Sequence, residues 1–201
     1  MSSHSKDGSA VGKVQPQPPI ALISGHTDLS PSDFTTHYVP HINTALDTGH
    51  RFILGDAAGT DTFALAYLLS APVLAAHPNI VSRITVYPSR RHNIAALRAQ
   101  GLRVIAPDHP SLKVERTVGV VGKKGPDARR WHHIQRDANM TAASDYDILF
   151  VRSEEESRRL YGEKYRARMS ATELNRRRRE ELKHMCEGQA TANSENNGKS
   201  W

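Results

Sequence analysis

Apolar positions along the chain fall into short β-type runs separated by helical patterns. Residues 20–24 are apolar and partly β-branched and stop at Gly25, which predicts a buried first strand. Ser30-Pro31-Ser32-Asp33 then carries a helix start, with a serine to cap, a proline at the first helical position and an acid in the first turn. Phe34, Tyr38, Ile42, Ala45 and Leu46 recur at helical spacing, and Gly49 supplies a left-handed stop. A second strand over 51–54 runs into Gly55-Asp56-Ala57-Ala58-Gly59-Thr60-Asp61, after which Phe63, Ala64, Ala66, Tyr67 and Leu68 make an apolar helix.

Further on, the pattern predicts a third strand over 83–87, a short helix over 93–100 closed by Gly101, and a fourth strand over 102–106. Residues 107–126 show no period and read as a loop or covering flap. A helix over 127–143, carrying Trp131, Ile134, Ala138 and Met140, leads to a last buried strand over 147–151. After a charged stretch, Ser170-Ala171-Thr172-Glu173 reads as a capping box that opens a helix to about residue 185. The segments 1–19 and 186–201 are polar and read as disordered tails around a single domain over 20–185. Strands alternating with helices predict an α/β fold: a modified Rossmann-like parallel sheet with helices on both faces and an extra C-terminal helix.

Composition narrows this picture little. With 201 residues, 38% hydrophobic and 24% charged, the chain is ordinary globular protein. Cys186 is the only cysteine, which removes any intrachain disulfide or cysteine metal cluster and points to the reducing cytoplasm. The apolar runs fall far short of the roughly 20 residues that span a bilayer, so no membrane association is expected. A net charge of +6 raises the idea of nucleic acid, but the excess over residues 158–183 is interleaved with acids, as on a solvated helix, which makes nucleic acid the lesser partner. Neither a metal nor a cofactor is expected: His37 and His41 have Pro40 between them, and the adjacent His132 and His133 point in different directions on a helix.

Open α/β sheets bind ligands outside the carboxyl ends of their strands, so the turns after the strands are the places to look. Ser24-Gly25-His26-Thr27-Asp28 and the Gly55–Asp61 turn combine small residues that admit a phosphate to the backbone with hydroxyls that donate to it and a following helix N-terminus. Ser24, Gly25, His26, Gly55, Asp56, Gly59 and Thr60 are the candidates there. The competing reading is that the glycines only permit tight turns and close helix packing. His26 can also serve as a hydrogen-bond partner or as an acid near neutral pH.

Arg136-Asp137-Ala138-Asn139-Met140-Thr141-Ala142-Ala143-Ser144-Asp145, running into the last strand, resembles the Arg-Lys-x-x-Met-x-x-x-Ser-Asp stretch of the Lonely Guy phosphoribohydrolases. In that family, and in the wider SLOG superfamily, a Gly-Ser turn follows the first strand and a Gly-Gly-x-x-Gly turn the second. Ser24-Gly25 and Gly55-Asp56-Ala57-Ala58-Gly59 stand at those places. The resemblance implies a nucleotide-binding protein, a phosphate held by Arg136 with Asn139 nearby, cleavage of an N-glycosidic bond in a nucleoside monophosphate or related nucleotide, and a homodimer.

The family's Pro-Gly-Gly-x-Gly-Thr-x-x-Glu signature is missing after the last strand. Its nearest counterpart is Ser170-Ala171-Thr172-Glu173-Leu174-Asn175, where Thr172 matches the phosphate-binding threonine and Asn175 stands at the catalytic glutamate. An amide cannot supply the negative charge that stabilises an oxocarbenium-like transition state. Asp61, Glu173 or Asp56 would then have to provide a displaced carboxylate, or the protein is a non-catalytic nucleotide sensor. Arg136 has its own alternative, an ion pair with Asp137 or Glu115.

Overall fold

The computed structural model describes residues 16–89, 91–107, 109, 128–167 and 169–197 of the chain. Its strands, β1 Ile20–Ile23, β2 Arg51–Leu54, β3 Ile84–Val86, β4 Arg103–Val104 and β5 Tyr146–Ile148, pair in parallel in the order β4-β3-β2-β1-β5. Between and after them lie α1 Pro31–His37, α2 Val39–Asp47, α3 Thr60–Leu68, α4 Ala71–Ala76, α5 Ile80–Arg83, α6 Ile94–Ala99, α7 Ala128–Ala142, α8 Glu154–Tyr161 and α9 Ala171–Asn197. This is the Rossmann-like α/β architecture that the alternation of patterns predicts.

The two-residue period of the strands divides the core. Ala21, Ile23, Phe52 and Leu54 point to one face, where Phe34, Ile42, Leu68, Val73, Ile80 and Leu97 from α1 to α6 cover them. Leu22 and Ile53 point to the other face and meet Tyr87, Ile105 and Met140 of α7. On that second face β5 presents Asp147, in register with Leu22, and Arg179 of α9 answers it at 2.8 Å while also donating to the carbonyl of Ser144. Both partners are nearly enclosed, and among the described residues Asp147 Oδ2 and Arg179 Nε find no hydrogen-bond partner. The pair fastens α9 to the sheet edge at the cost of two unsatisfied atoms.

Several elements depart from the sequence pattern. The single helix expected after Ser30 is broken at Tyr38, because Pro40 sits in the first turn of α2 and cannot continue the hydrogen bonding of α1. The apolar stripe survives the break: Phe34, Tyr38, Ile42, Ala45 and Leu46 are all buried. Helices α4, α5 and α8 form where none was expected, and α8 carries a full capping box between Ser153 and Glu156. At α9 only half of the expected box exists. Ser170 Oγ accepts from Glu173 N, whereas the Glu173 carboxylate turns to Arg176 and Arg177.

Helix α9 also runs on to Asn197, through much of the segment expected to be a tail. Gly188 is the one strong helix breaker in that stretch and costs only about 1 kcal/mol. The tail expected at the N-terminus lies outside the described residues up to residue 15, and the loop expected over 107–126 lies outside them except at 107 and 109. Among the described residues no helix is long and apolar enough to cross a membrane.

Candidate functional site

The strand order reverses between β1 and β5, which makes their carboxyl ends the usual ligand crevice of such a sheet. Here protein fills that position. The buried Tyr38 hydroxyl donates to the Ser24 carbonyl at 3.1 Å and accepts from Phe150 N at 3.1 Å, so it ties the two strand ends together. Arg152 N donates to His26 Nε2 at 3.4 Å. Its guanidinium holds Asp28 at 2.7 Å, and the Tyr161 hydroxyl of α8 donates to the other Asp28 oxygen at 2.6 Å.

The glycines of this region are packing devices. A Cβ on Gly25 would strike the Tyr38 hydroxyl and Thr60 Oγ1. Gly59 has φ +73°, and a Cβ there would press on the His26 carbonyl and come within 2.6 Å of the Thr27 carbonyl carbon. Thr60 donates both its N–H and its hydroxyl to the His26 carbonyl, each at 3.1 Å. The Ser24-to-Asp28 turn and the start of α3 are therefore bolted together, and Gly25, Gly59 and Thr60 serve that joint. Burial first, and Arg152 second, hold the His26 imidazole below its ordinary value, and its Nε2 accepts from Arg152 N.

One strand further along, the carboxyl end of β2 opens into a cleft of about 380 Å³ between α3 and α6. Leu65, Ala66, Leu69, Ala96 and Leu97 make its apolar wall, and Gly55, Asp56, Asp61 and Asn93 its polar head. Asp56 spans from β2 to the segment after β3, accepting from Ser89 N at 2.7 Å and from Asn93 Nδ2 at 3.1 Å. Arg136 reaches the same carboxylate from α7 at 3.4 Å and holds Asp137 at 3.0 Å with its other arm. A Cβ on Gly55 would strike Asp61 Oδ2 and come within 3.5 Å of the Arg136 guanidinium carbon, so Gly55 is what lets these groups converge.

Asp61 is the exceptional member of this group. It is only 9% exposed, yet the sole hydrogen bond to its carboxylate among the described residues comes from Ala57 N to Oδ2 at 3.0 Å, which leaves Oδ1 without a partner there. Burial pushes its carboxyl up to about 6, against the Ala57 hydrogen bond and the Arg136 charge, with Asp137 and Asp56 adding to the rise. Such a group is poised between its two charge states near neutral pH, the property expected of an acid or base at a reactive site.

The third predicted turn is closed. Thr172 is 2% exposed and Asn175 3%. The Asn175 amide donates to Ser24 Oγ at 3.3 Å and accepts from Arg178 at 2.7 Å, so it bridges α9 to β1 with both of its polar atoms engaged. Hydrogen bonds from Arg176, with Arg177 adding to them, hold the Glu173 carboxyl down at about 2, which removes it as a proton carrier at neutral pH. Asn139 donates back to the Gln135 carbonyl of its own helix at 2.8 Å. Arg176 and Arg177 pair with Glu173 and Glu180 on the exposed face, as the solvated-helix reading has it, whereas Arg178 turns in to Asn175 and the buried Arg179 to Asp147. Arg136 forms the pair with Asp137 foreseen as its alternative, while Glu115 lies outside the described residues.

Of the predicted residues, Gly55, Asp56, Asp61 and Arg136 thus meet at one place, and Asn93 and the apolar wall join them unforeseen. Ser24, Gly25, His26, Thr60, Ser170, Thr172 and Asn175 belong to the neighbouring joint around β1 and α9 or to its cap. Among the described residues no group of three or more His, Cys, Asp or Glu side chains is placed to hold a metal ion. No protein-family model, curated protein or solved structure matches the chain at a significant level.

Proposed function

We propose that this chain binds a ribosylated base, a nucleoside or nucleotide, in the cleft between α3 and α6 and cleaves its N-glycosidic bond. The observation that carries the reading is Asp61, an ionisable side chain kept nine-tenths buried at the head of an apolar cleft, with one oxygen unpartnered among the described residues and its carboxyl at about 6. A base has flat apolar faces that suit Leu65, Leu69 and Leu97, and a ribose offers hydroxyl donors that suit carboxylates. Asp56 and Arg136 position the site: one fixes the turn after β2 to the segment before α6, and the other fixes α7 to that turn.

In the reaction Asp61, ionised above its pKa, takes a proton from water as the C1′–N bond breaks. The water oxygen bonds to C1′, the bonding pair leaves with the base, and the proton passes from Asp61 to the departing nitrogen. The carboxylate charge also stabilises the oxocarbenium-like transition state, the task for which Asn175 is unsuited. Incubation of the full chain with a panel of ribonucleosides and their 5′-monophosphates, with released base read by chromatography, tests this. Wild type releases base and Asp61→Asn does not. Binding of a ribosylated base without release by wild type would instead establish the non-catalytic sensor reading, which is favoured by the commitment of Asp56, Arg136 and Glu173 to partners within the chain.

A further inference from the structure

We infer that the cleft takes the free nucleoside and rejects its phosphomonoester. The inference rests on the ribosylated-base reading of this cleft and names its substrate class. It follows from where the cationic and donor groups point. Among the described residues that line the cleft there is no lysine, arginine or histidine, whereas two carboxylates, Asp56 and Asp61, are there. Arg136, beside the polar head, has one arm on Asp56 and the other on Asp137, so three carboxylates surround a single guanidinium.

Three donors at this head are already given to carboxylates. Ser89 N and Asn93 Nδ2 go to Asp56, and Ala57 N goes to Asp61. A phosphate brought to this head would meet like charge away from bulk water, which is how sites of this kind exclude a wrong partner. A sugar hydroxyl meets the opposite situation, since it brings the donor that Asp61 Oδ1 lacks among the described residues. The glycine turns that would have cradled a phosphate are spent on packing, Gly25 against Tyr38 and Thr60, and Gly59 against the backbone of His26 and Thr27.

The experiment is calorimetric titration of the full chain at pH 7.5 with each of the four common ribonucleosides, each matching 5′-monophosphate, and inorganic phosphate alone. At least one nucleoside is expected to bind, its monophosphate at least tenfold more weakly, and inorganic phosphate not at all. The Asp61→Asn variant is expected to lose at least tenfold in nucleoside affinity. Ala96→Trp, at an exposed position on the cleft wall, is expected to abolish binding while the melting temperature stays within a few degrees of wild type. A monophosphate that binds as tightly as its nucleoside overturns this inference and leaves the ribosylated-base reading standing. Failure of every nucleoside and nucleotide to bind overturns both, and unchanged affinity in Ala96→Trp shows that the ligand sits elsewhere.

Discussion

Two glycine-containing turns, one after β1 and one after β2, look alike in sequence and do opposite work. After β1, the polar groups of Ser24, His26 and Asp28 are satisfied by Tyr38, Thr60, Asn175, Arg152 and Tyr161, and the region behaves as a joint between strands and helices. After β2, Asp61 is held at the edge of a cleft with an oxygen unpartnered among the described residues and its carboxyl pushed up to about 6. The first turn stabilises the fold. The second is held in a costly state by the fold, the observation on which the proposed site rests. The proposal therefore puts ligand chemistry one strand away from the point where the strand order reverses.

The largest expected break comes from Gly59→Val. The variant must place a β-branched side chain at φ +73° against the His26 carbonyl and the Thr27 backbone, so it loses at least about 4 kcal/mol or yields no folded protein. A denaturant melt that superimposes on wild type would show that the joint is looser than described. Next, Arg136→Ala leaves Asp56 and Asp137 without their shared cation in a nearly enclosed position and should cost about 3 kcal/mol by chemical denaturation. A loss under about 0.5 kcal/mol would place Arg136 outside the scaffold of the cleft.

Asp61→Asn should act in the other direction and with a pH signature. Because the folded carboxyl lies near 6 and an unfolded one near 3.8, the stability that neutral Asp61 supplies is complete below 3.8 and is lost as pH rises through about 6. The asparagine variant keeps an acceptor for Ala57 N without that loss, so at pH 7.5 it should be more stable than wild type by up to about 3 kcal/mol, and at pH 3.5 about equal to it. Equal stability at both pH values would mean that Asp61 is not burdened by its setting. The smallest effect belongs to Tyr161→Phe, which removes a half-exposed hydrogen bond to Asp28. A loss of about 0.5–1.5 kcal/mol with nucleoside binding intact is expected, and weakened binding would draw the β1 turn into the site.

The fold was legible where periodicity and punctuation agree. The run before Gly25, the stripe from Phe34 to Leu46, the second strand, Gly49 and Gly101 all stand as the pattern predicts, because each joins an apolar period to a stop that only glycine satisfies well. Helix α8 was missed because a run of three glutamates and two arginines carries no apolar period, although Ser153 and Glu156 spell its capping box. Helices α4 and α5 span hardly more than a turn, too short for periodicity to register.

The site was legible in its chemistry and not in its geometry. Asp56, Asp61, Gly55 and Arg136 could be named from the sequence, but Asn93 and the α6 side of the cleft depend on how β3 pairs with β2, which no local pattern encodes. The packing role of Gly25 and Gly59 is illegible for a related reason: a glycine that admits a ligand and one that admits a neighbouring backbone read the same along the chain.

The most direct test of the contrast between the two turns is a titration of the isotope-labelled full chain with the ribonucleoside that binds best, followed through backbone amide shifts. The account predicts that residues 55–66 and 93–100 around the cleft shift in proportion to occupancy, while residues 24–28 and 171–175 stay within the spread of the rest of the chain. Shifts concentrated instead at 24–28 and 171–175, with the cleft unmoved, would contradict it and return the ligand to the carboxyl ends of β1 and β5.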